Sequence, residues 1–335
     1  MIKVAFFELE AWEKEYFAQS LPGLTLVFAE ASPVHNPPPE AVDSEIISVF
    51  VGSELNRSAL EKFPRLRFVC TRSTGYDHVD LEECRRRKIG VCNVPTYGAR
   101  TVAEFTIALL LALSRKLHRS IERVRVEGTF SAHGLRGFDL RGKTLGVVGT
   151  GHIGREVVSI ARGFEMRLLM YDVAPDAAFA ASMGAAYTSL DDLLVRSDVV
   201  TLHVPHLAAT HHLMNRDRLF RMKPGALLIN TARGGLVDTA ALIEALHTGR
   251  LGGAALDVLE EEGAIREDRE LLLYGHPGES QLRAMLNRHM LIRTDNVIVT
   301  PHNAFNTQEA LDEIVRITAE NIRACLKGTP QNVVS

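Results

Sequence analysis

Two residues in the second half of this 335-residue chain combine charge with a position suited to chemistry, Arg233 and His302. Each follows an apolar run short enough to be a buried strand, Ala226–Asn230 before Arg233 and Val297–Thr300 before His302. A guanidinium at a strand's carboxyl end can grip a planar carboxylate through two parallel hydrogen bonds, which a lysine cannot do. Its ordinary alternative is a turn arginine at the surface. An imidazole gives or takes a proton near neutral pH. Most histidines are structural, so it is place that distinguishes His302 among thirteen. Between these two, Asp257 closes a third apolar run, and Glu260, Glu261 and Glu262 follow it. A run of acids reads first as a solvated loop.

Such residues need something to act on, and an earlier segment supplies it. Gly149-Thr150-Gly151-His152-Ile153-Gly154 follows the apolar run Lys143–Val148, and a second run, Arg167–Tyr171, ends on Asp172. In this order the first glycine permits a tight turn and the second lets backbone approach a pyrophosphate. The third lets the following helix pack closely, with its positive end toward phosphate. Asp172 lies eighteen residues beyond Gly154, near the roughly 20 expected of a carboxylate that receives the adenosine ribose hydroxyls. The same carboxylate would repel a 2'-phosphate, and Val173 and Ala174 offer no arginine to receive one, so the cofactor expected is NAD. A histidine at the carboxyl edge of such a sheet is where hydride transfer needs a proton donor.

Length implies about two domains at ~150 residues each. A hydrophobic fraction of 46%, a charged fraction of 24% and a net charge of -3 are those of an ordinary globular protein. They give no electrostatic reason to expect nucleic acid or an acidic membrane surface as partner. The most apolar stretch, Phe105–Leu113, falls short of the ~20 residues that span a bilayer, and the opening MIKVAFFELE lacks the form of a secretion signal. A cytoplasmic location is expected. Cys70, Cys84, Cys92 and Cys325 form no C-x-x-C pair, so reduced thiols are expected rather than disulfides or structural zinc. His203, His206, His211 and His212 crowd one stretch, but no nearby carboxylate or cysteine completes a ligand set, so no metal is expected.

The elements that must position these residues are α/β. Before the glycine segment, apolar runs at 4–7, 24–28, 46–51, 66–71 and 89–94 alternate with helix-compatible stretches such as 56–62 and 81–87. After it, runs at 199–204, 226–230, 253–258 and 297–300 give about six parallel strands between 144 and 300. The pattern predicts two doubly wound parallel-sheet domains with a cleft between them. Thr101-x-x-Glu104 reads as a capping box opening an apolar helix to about Leu117, which is expected to be buried between domains or in a subunit interface. A last helix starts near Asn306, with Leu311, Ile314, Val315, Thr318, Ile322 and Cys325 on one face. Because the nucleotide domain looks complete by 300, this helix is expected to return to the first domain. The expected division is 1–100 with 304–335, and 101–303.

Together these residues resemble the D-isomer-specific 2-hydroxyacid dehydrogenases over nearly the whole chain, and their D-lactate dehydrogenase branch most closely. The likeness rests on Ser73–Asp80, Asn93–Tyr97, Gly137–Leu140, Leu202–Pro205, Asn230–Gly234, Asp257-Val258 and Thr300–Phe305, besides the glycine segment. It implies a Rossmann NAD-binding domain and a flavodoxin-like substrate domain. It also implies an active site of Arg233, Glu262 and His302, with Glu262 tuning the His302 acid/base and Arg233 binding the substrate carboxylate. Cofactor contacts carry over to Gly149, Gly151, His152, Ile153, Gly154, Asp172, His203, Val204, Pro205, Thr231, Ala232, Arg233 and Asp257. Substrate contacts carry over to Thr74, Gly75, Tyr97, Arg233, His302 and Phe305.

The activity implied interconverts a small 2-keto acid and its D-2-hydroxy acid, pyruvate and D-lactate first; separately, a homodimer built around the Thr101 helix is expected. A glyoxylate or hydroxypyruvate reductase is the enzymatic alternative, and an NADH-sensing corepressor-like binding protein the nonenzymatic one. The stretch from Glu260 to Arg293 is longer than in phosphoglycerate-type branches, and the role of 263–293 is left open. Phosphite-oxidising relatives carry a lysine where this chain has Thr74, which disfavours that substrate.

Overall fold

The computed structural model describes residues 2–29, 37–260 and 278–334. Backbone contacts divide it into two compact units, Met1–Gly98 with Asn306–Ser335, and Ala99–Phe305.

In the first unit five parallel strands run in the order β2-β1-β3-β4-β5: β1 Lys3–Phe7, β2 Thr25–Ala29, β3 Ile46–Val49, β4 Phe68–Thr71 and β5 Gly90–Cys92. β1 is buried on both faces from Val4 to Phe7, which is why its sequence is a continuous apolar run rather than an alternating one. The helix Leu81–Arg87 shows how local chemistry sets boundaries. The Asp80 side chain accepts from Glu83 N–H, Glu82 and Glu83 lie at the positive end, and three arginines lie at the negative end. The helix Gln308–Leu326 is capped by Thr307 and so begins two residues later than the apolar pattern suggests. Its Val315, Ala319, Ile322 and Cys325 share one core with Val4, Phe6, Phe17, Cys70 and Cys92.

The second unit has seven parallel strands in the order β12-β11-β10-β9-β6-β7-β8. They are β6 Thr144–Val148, β7 Arg167–Tyr171, β8 Ala186–Tyr187, β9 Val199–Leu202, β10 Ala226–Asn230, β11 Leu251–Leu256 and β12 Val297–Val299. The strand beyond the six expected is β8, whose two residues pair with Leu169 and Met170 and are too few to show a period. Order reverses between β6 and β9, and at that switch point a sheet of this kind opens a crevice at its carboxyl edge.

The apolar helix after residue 98 differs from expectation at both ends. It runs Ala99–Ser114, so Thr101 lies inside it, and Glu104 pairs with Arg100 at 2.7 Å rather than reaching back to cap. It stops because the Ser114 carbonyl accepts from Phe138 N–H at 2.9 Å, and Lys116 turns left-handed at φ 49°. A separate helix, Leu117–Arg125, follows. Among the described residues no helix is long and apolar enough to cross a membrane.

Candidate active site

Two of the three glycines are required by the packing of the turn itself. Gly149 sits at φ 95°, where a Cβ would stand 2.6 Å from the His203 carbonyl oxygen. A Cβ on Gly154 would collide with the Gly149 carbonyl, so helix His152–Gly163 can pack onto the turn only with glycine there. Gly151 differs, because a Cβ would meet nothing within 4 Å. Protein packing does not require this glycine; it leaves room above a helix start that no side chain caps, which fits an incoming pyrophosphate. His152 and Ile153 open that helix.

Beside the turn, Asp172 follows β7. Its carboxylate accepts from Thr150 N–H at 2.6 Å, Thr150 hydroxyl at 3.0 Å and Ala174 N–H at 2.9 Å. Burial would raise its pKa, but the N–H groups of Ala174, Thr150 and Val173 and the Thr150 hydroxyl outweigh burial and hold it below the usual carboxylate value. It is an anion at neutral pH, as a ribose acceptor must be. After β9, the His203 main chain borders the glycine turn while its ring turns to Thr201 at 2.9 Å, and burial pushes that imidazole down to about 3. His203 therefore stays neutral, and Val204 and Pro205 continue along the same edge.

The edge continues across the neighbouring strands β10, β11 and β12. Asp257 N–H donates to the Asn230 carbonyl at 2.9 Å, and His302 N–H donates to the Asp257 carbonyl at 2.8 Å. This main-chain relay ties the Arg233 turn to the His302 turn. Asp257 is 1% exposed, and its carboxylate takes Asn303 N–H at 2.8 Å, Ala304 N–H at 2.9 Å and the Thr300 hydroxyl. Three donors on one buried acid hold a turn whose apex, His302, is left-handed at φ 51°. Phe305 meets the His302 ring edge-on at 6.4 Å. On β10's side, the Asn230 side chain clasps the turn at both ends, donating to the Arg233 carbonyl at 2.8 Å and accepting from Ala232 N–H at 3.0 Å. The Thr231 hydroxyl bonds Thr106 at 2.9 Å.

One acid differs from its sequence reading. Glu260 is not a solvated loop residue. It bonds His212 Nε2 at 2.6 Å and the Thr239 N–H and hydroxyl, and these partners overcome burial to hold its carboxyl below the usual value. Glu260 thus clamps the loops after β9, β10 and β11 together. Glu262 lies outside the described residues. Among the described residues no three His, Cys, Asp or Glu side chains converge to hold a metal ion.

In the first unit, the segment after β4 carries the second set of candidates. The Thr74 hydroxyl donates to the Val94 carbonyl at 2.8 Å and Asn93 donates to the Thr74 carbonyl at 2.8 Å, while the Thr74 and Gly75 N–H groups donate to no described group. Tyr97 follows β5 on the same sheet edge. Arg72, which the sequence reading passed over, anchors this segment. It is 1% exposed, donates to the Phe7 carbonyl at 2.7 Å and the Glu8 carbonyl at 2.6 Å, and faces Glu13 at 3.4 Å. An arginine directly after the buried run 66–71 was the available signal, since a buried charge demands dedicated partners.

The sequence profile of the D-isomer specific 2-hydroxyacid dehydrogenase NAD binding domain matches residues 107–304. 2-hydroxyacid dehydrogenase A of Aspergillus oryzae is 41% identical to this chain, covering 99% of it and 94% of that protein. The chain belongs to the D-isomer specific 2-hydroxyacid dehydrogenase family. D-lactate dehydrogenase kk1H of Curvularia clavata is 37% identical over 98% of this chain and 94% of its own. A crystal structure of D-lactate dehydrogenase from Aquifex aeolicus, complexed with NAD and lactic acid, superposes with a TM-score of 0.88. It is 37% identical and covers 97% of this chain and 96% of that one.

This member of the family is an NAD-dependent D-2-hydroxyacid dehydrogenase, and the Gly149–Gly154 turn and Asp172 fit its cofactor. Asp172→Ala should weaken NADH by roughly 10- to 150-fold, the equivalent of about 1.5–3 kcal/mol for a hydrogen bond to a charged group. NADPH should lose its electrostatic handicap. Initial rates with both cofactors check this, and unchanged preference for NADH would remove Asp172 from ribose recognition.

Proposed function

We propose that this dehydrogenase reduces a small 2-keto acid, pyruvate first, to the D-2-hydroxy acid, with His302 as general acid and Arg233 as carboxylate clamp. The observation that carries the reading is the relay Asn230–Asp257–His302, which sets the two turns at the ends of β10 and β12, on either side of β11, along the edge that begins at the glycine turn. From β7, where Asp172 lies, to β10, where Arg233 follows, is three strand spacings, about 14 Å, a span suited to an extended dinucleotide.

Bound NADH supplies the hydride. As the keto carbon accepts it, charge grows on the carbonyl oxygen, and protonated His302 donates to that oxygen. Arg233 holds the carboxylate by two charge-assisted bonds and polarises the ketone, so the substrate is oriented before reaction. The family likeness gives the support of the imidazolium to Glu262, five residues beyond Asp257 and outside the described residues. The family likeness assigns Thr74, Gly75 and Tyr97 of the first unit, and Phe305 of the second, to the substrate. Residues 99–305 serve as the NAD-binding domain, and 1–98 with 306–335 as the substrate domain.

NADH oxidation at 340 nm with pyruvate, 2-ketobutyrate, glyoxylate, hydroxypyruvate and phenylpyruvate tests the substrate. Pyruvate should give the highest kcat/KM. Preference for glyoxylate or hydroxypyruvate would replace this reading with that of the corresponding reductase, and no turnover with any would remove the enzymatic one.

We place the homodimer contact on the helix Leu117–Arg125 rather than on Ala99–Ser114, whose Ala103, Ile107, Leu110 and Leu113 are buried within its own unit. Leu117, Ile121 and Val124 recur along one face at 51%, 48% and 50% exposure, an apolar stripe that a second copy would cover. Light scattering should give twice the chain mass, and Ile121→Glu with Val124→Glu should halve it; a monomeric parent ends the assignment. Four buried thiols suit a reducing cytoplasm.

A further inference from the structure

Three of the four cysteines come together in the core of the first unit, from three separate elements. Cys70 lies on β4, Cys92 on β5 and Cys325 on the helix Gln308–Leu326, at 0%, 0% and 2% exposure. Cys92 Sγ and Cys325 Sγ are 3.8 Å apart. The reaction described above uses none of them, and Cys84 sits in a different core.

We propose that Cys92 and Cys325 are a thiol–disulfide site, oxidised by a peroxide to a bond that staples the two separate segments of the first unit.

Geometry selects this pair. The Sγ atoms of Cys92 and Cys325 stand 3.8 Å apart and belong to the two separate segments of the unit, whereas Cys70 and Cys92, register partners on adjacent strands, lie in the same segment. The Cys70 and Cys92 thiols, hydrogen-bonded to Cys325, draw its pKa down against the opposing effect of burial, which favours the Cys325 thiolate.

The outer edge of β5 is paired with a short segment near the carboxyl end. Val333 bridges Cys92, and its segment is held by Asn93 N–H to the Asn332 carbonyl at 3.0 Å, Val334 N–H to the Val91 carbonyl at 2.8 Å and the Asn332–Asn321 side-chain bond. Val333 itself is 47% exposed. Opening a few hydrogen bonds at an exposed segment needs far less free energy than global unfolding, and it admits a small oxidant.

The chemistry balances with hydrogen peroxide as the two-electron oxidant. The Cys325 thiolate attacks one peroxide oxygen, giving a sulfenic acid and hydroxide, which takes a proton to leave as water. Cys92 sulfur then attacks the sulfenic sulfur, forming the S–S bond and expelling a second water as its thiol proton is lost. Two thiols are oxidised and one peroxide is reduced.

The test treats the folded, full-length protein with hydrogen peroxide, then quenches, denatures and measures free thiols, intact mass and non-reduced peptides. Thiols should fall from four to two, mass should drop by about 2 Da, and one peptide pair should join Cys92 to Cys325. Dithiothreitol should reverse all three. Cys325→Ser and Cys325→Ala should each abolish the loss of 2 Da, and Cys84→Ser should leave it. Four surviving thiols, addition of oxygen to cysteine without a crosslink, or a crosslink through Cys70 or Cys84 would each overturn the proposal.

Discussion

His302→Gln should lower turnover with pyruvate by roughly 10²- to 10⁴-fold, the range for a lost general acid. Glutamine keeps polarity and approximate size but cannot release a proton at neutral pH. NADH affinity, read by fluorescence titration, should change little, because the glycine turn and Asp172 lie on other strands of the sheet. The turn itself should survive, since Asp257 holds it through main-chain N–H groups and the Thr300 hydroxyl rather than through the ring. A melting temperature near that of the parent would therefore accompany the lost rate. Turnover equal to the parent's would take His302 out of the mechanism.

Arg233→Gln comes next in expected size. Removing a preorganised charged donor from the reacting group should cut kcat/KM for the keto acid by roughly 10²- to 10³-fold, with NADH binding within about twofold of the parent. Arg233→Lys should recover little, because a single ammonium cannot reproduce two parallel bonds to a carboxylate. The backbone there does not depend on the guanidinium: Asn230 clasps both ends of the turn, and Gly234 lies against the Leu259 carbonyl so closely that no Cβ fits. A loss confined to NADH binding would assign Arg233 to the cofactor instead.

How much of this was legible in the sequence depended on the range over which each feature is determined. The glycine turn and its acid were readable because every requirement is local: a positive φ at Gly149, close packing at Gly154 and a strand end at Asp172. The main strands were readable because parallel sheets buried on both faces write continuous apolar runs. The two-residue β8 left no such trace. Thr101 and Glu104 matched a capping pattern, yet Arg100 competes for the same carboxylate, and spacing alone does not rank the two partners. Glu260 and Arg72 were missed for a related reason. Their partners, His212 and Thr239 for one and Phe7, Glu8 and Glu13 for the other, stand 21 to 65 positions away, beyond any local pattern.

The first unit's core includes Val315, Ala319, Ile322 and Cys325, residues that leave the ribosome after all of 99–305 has been made. Its opening 98 residues must therefore wait, with Val4, Phe6 and Phe17 lacking their final neighbours, while the contiguous unit between can already fold. Order of synthesis and order of completion are opposite in this chain. The interval is the time when the apolar surface of its amino-terminal segment is most open to aggregation and most in need of a chaperone.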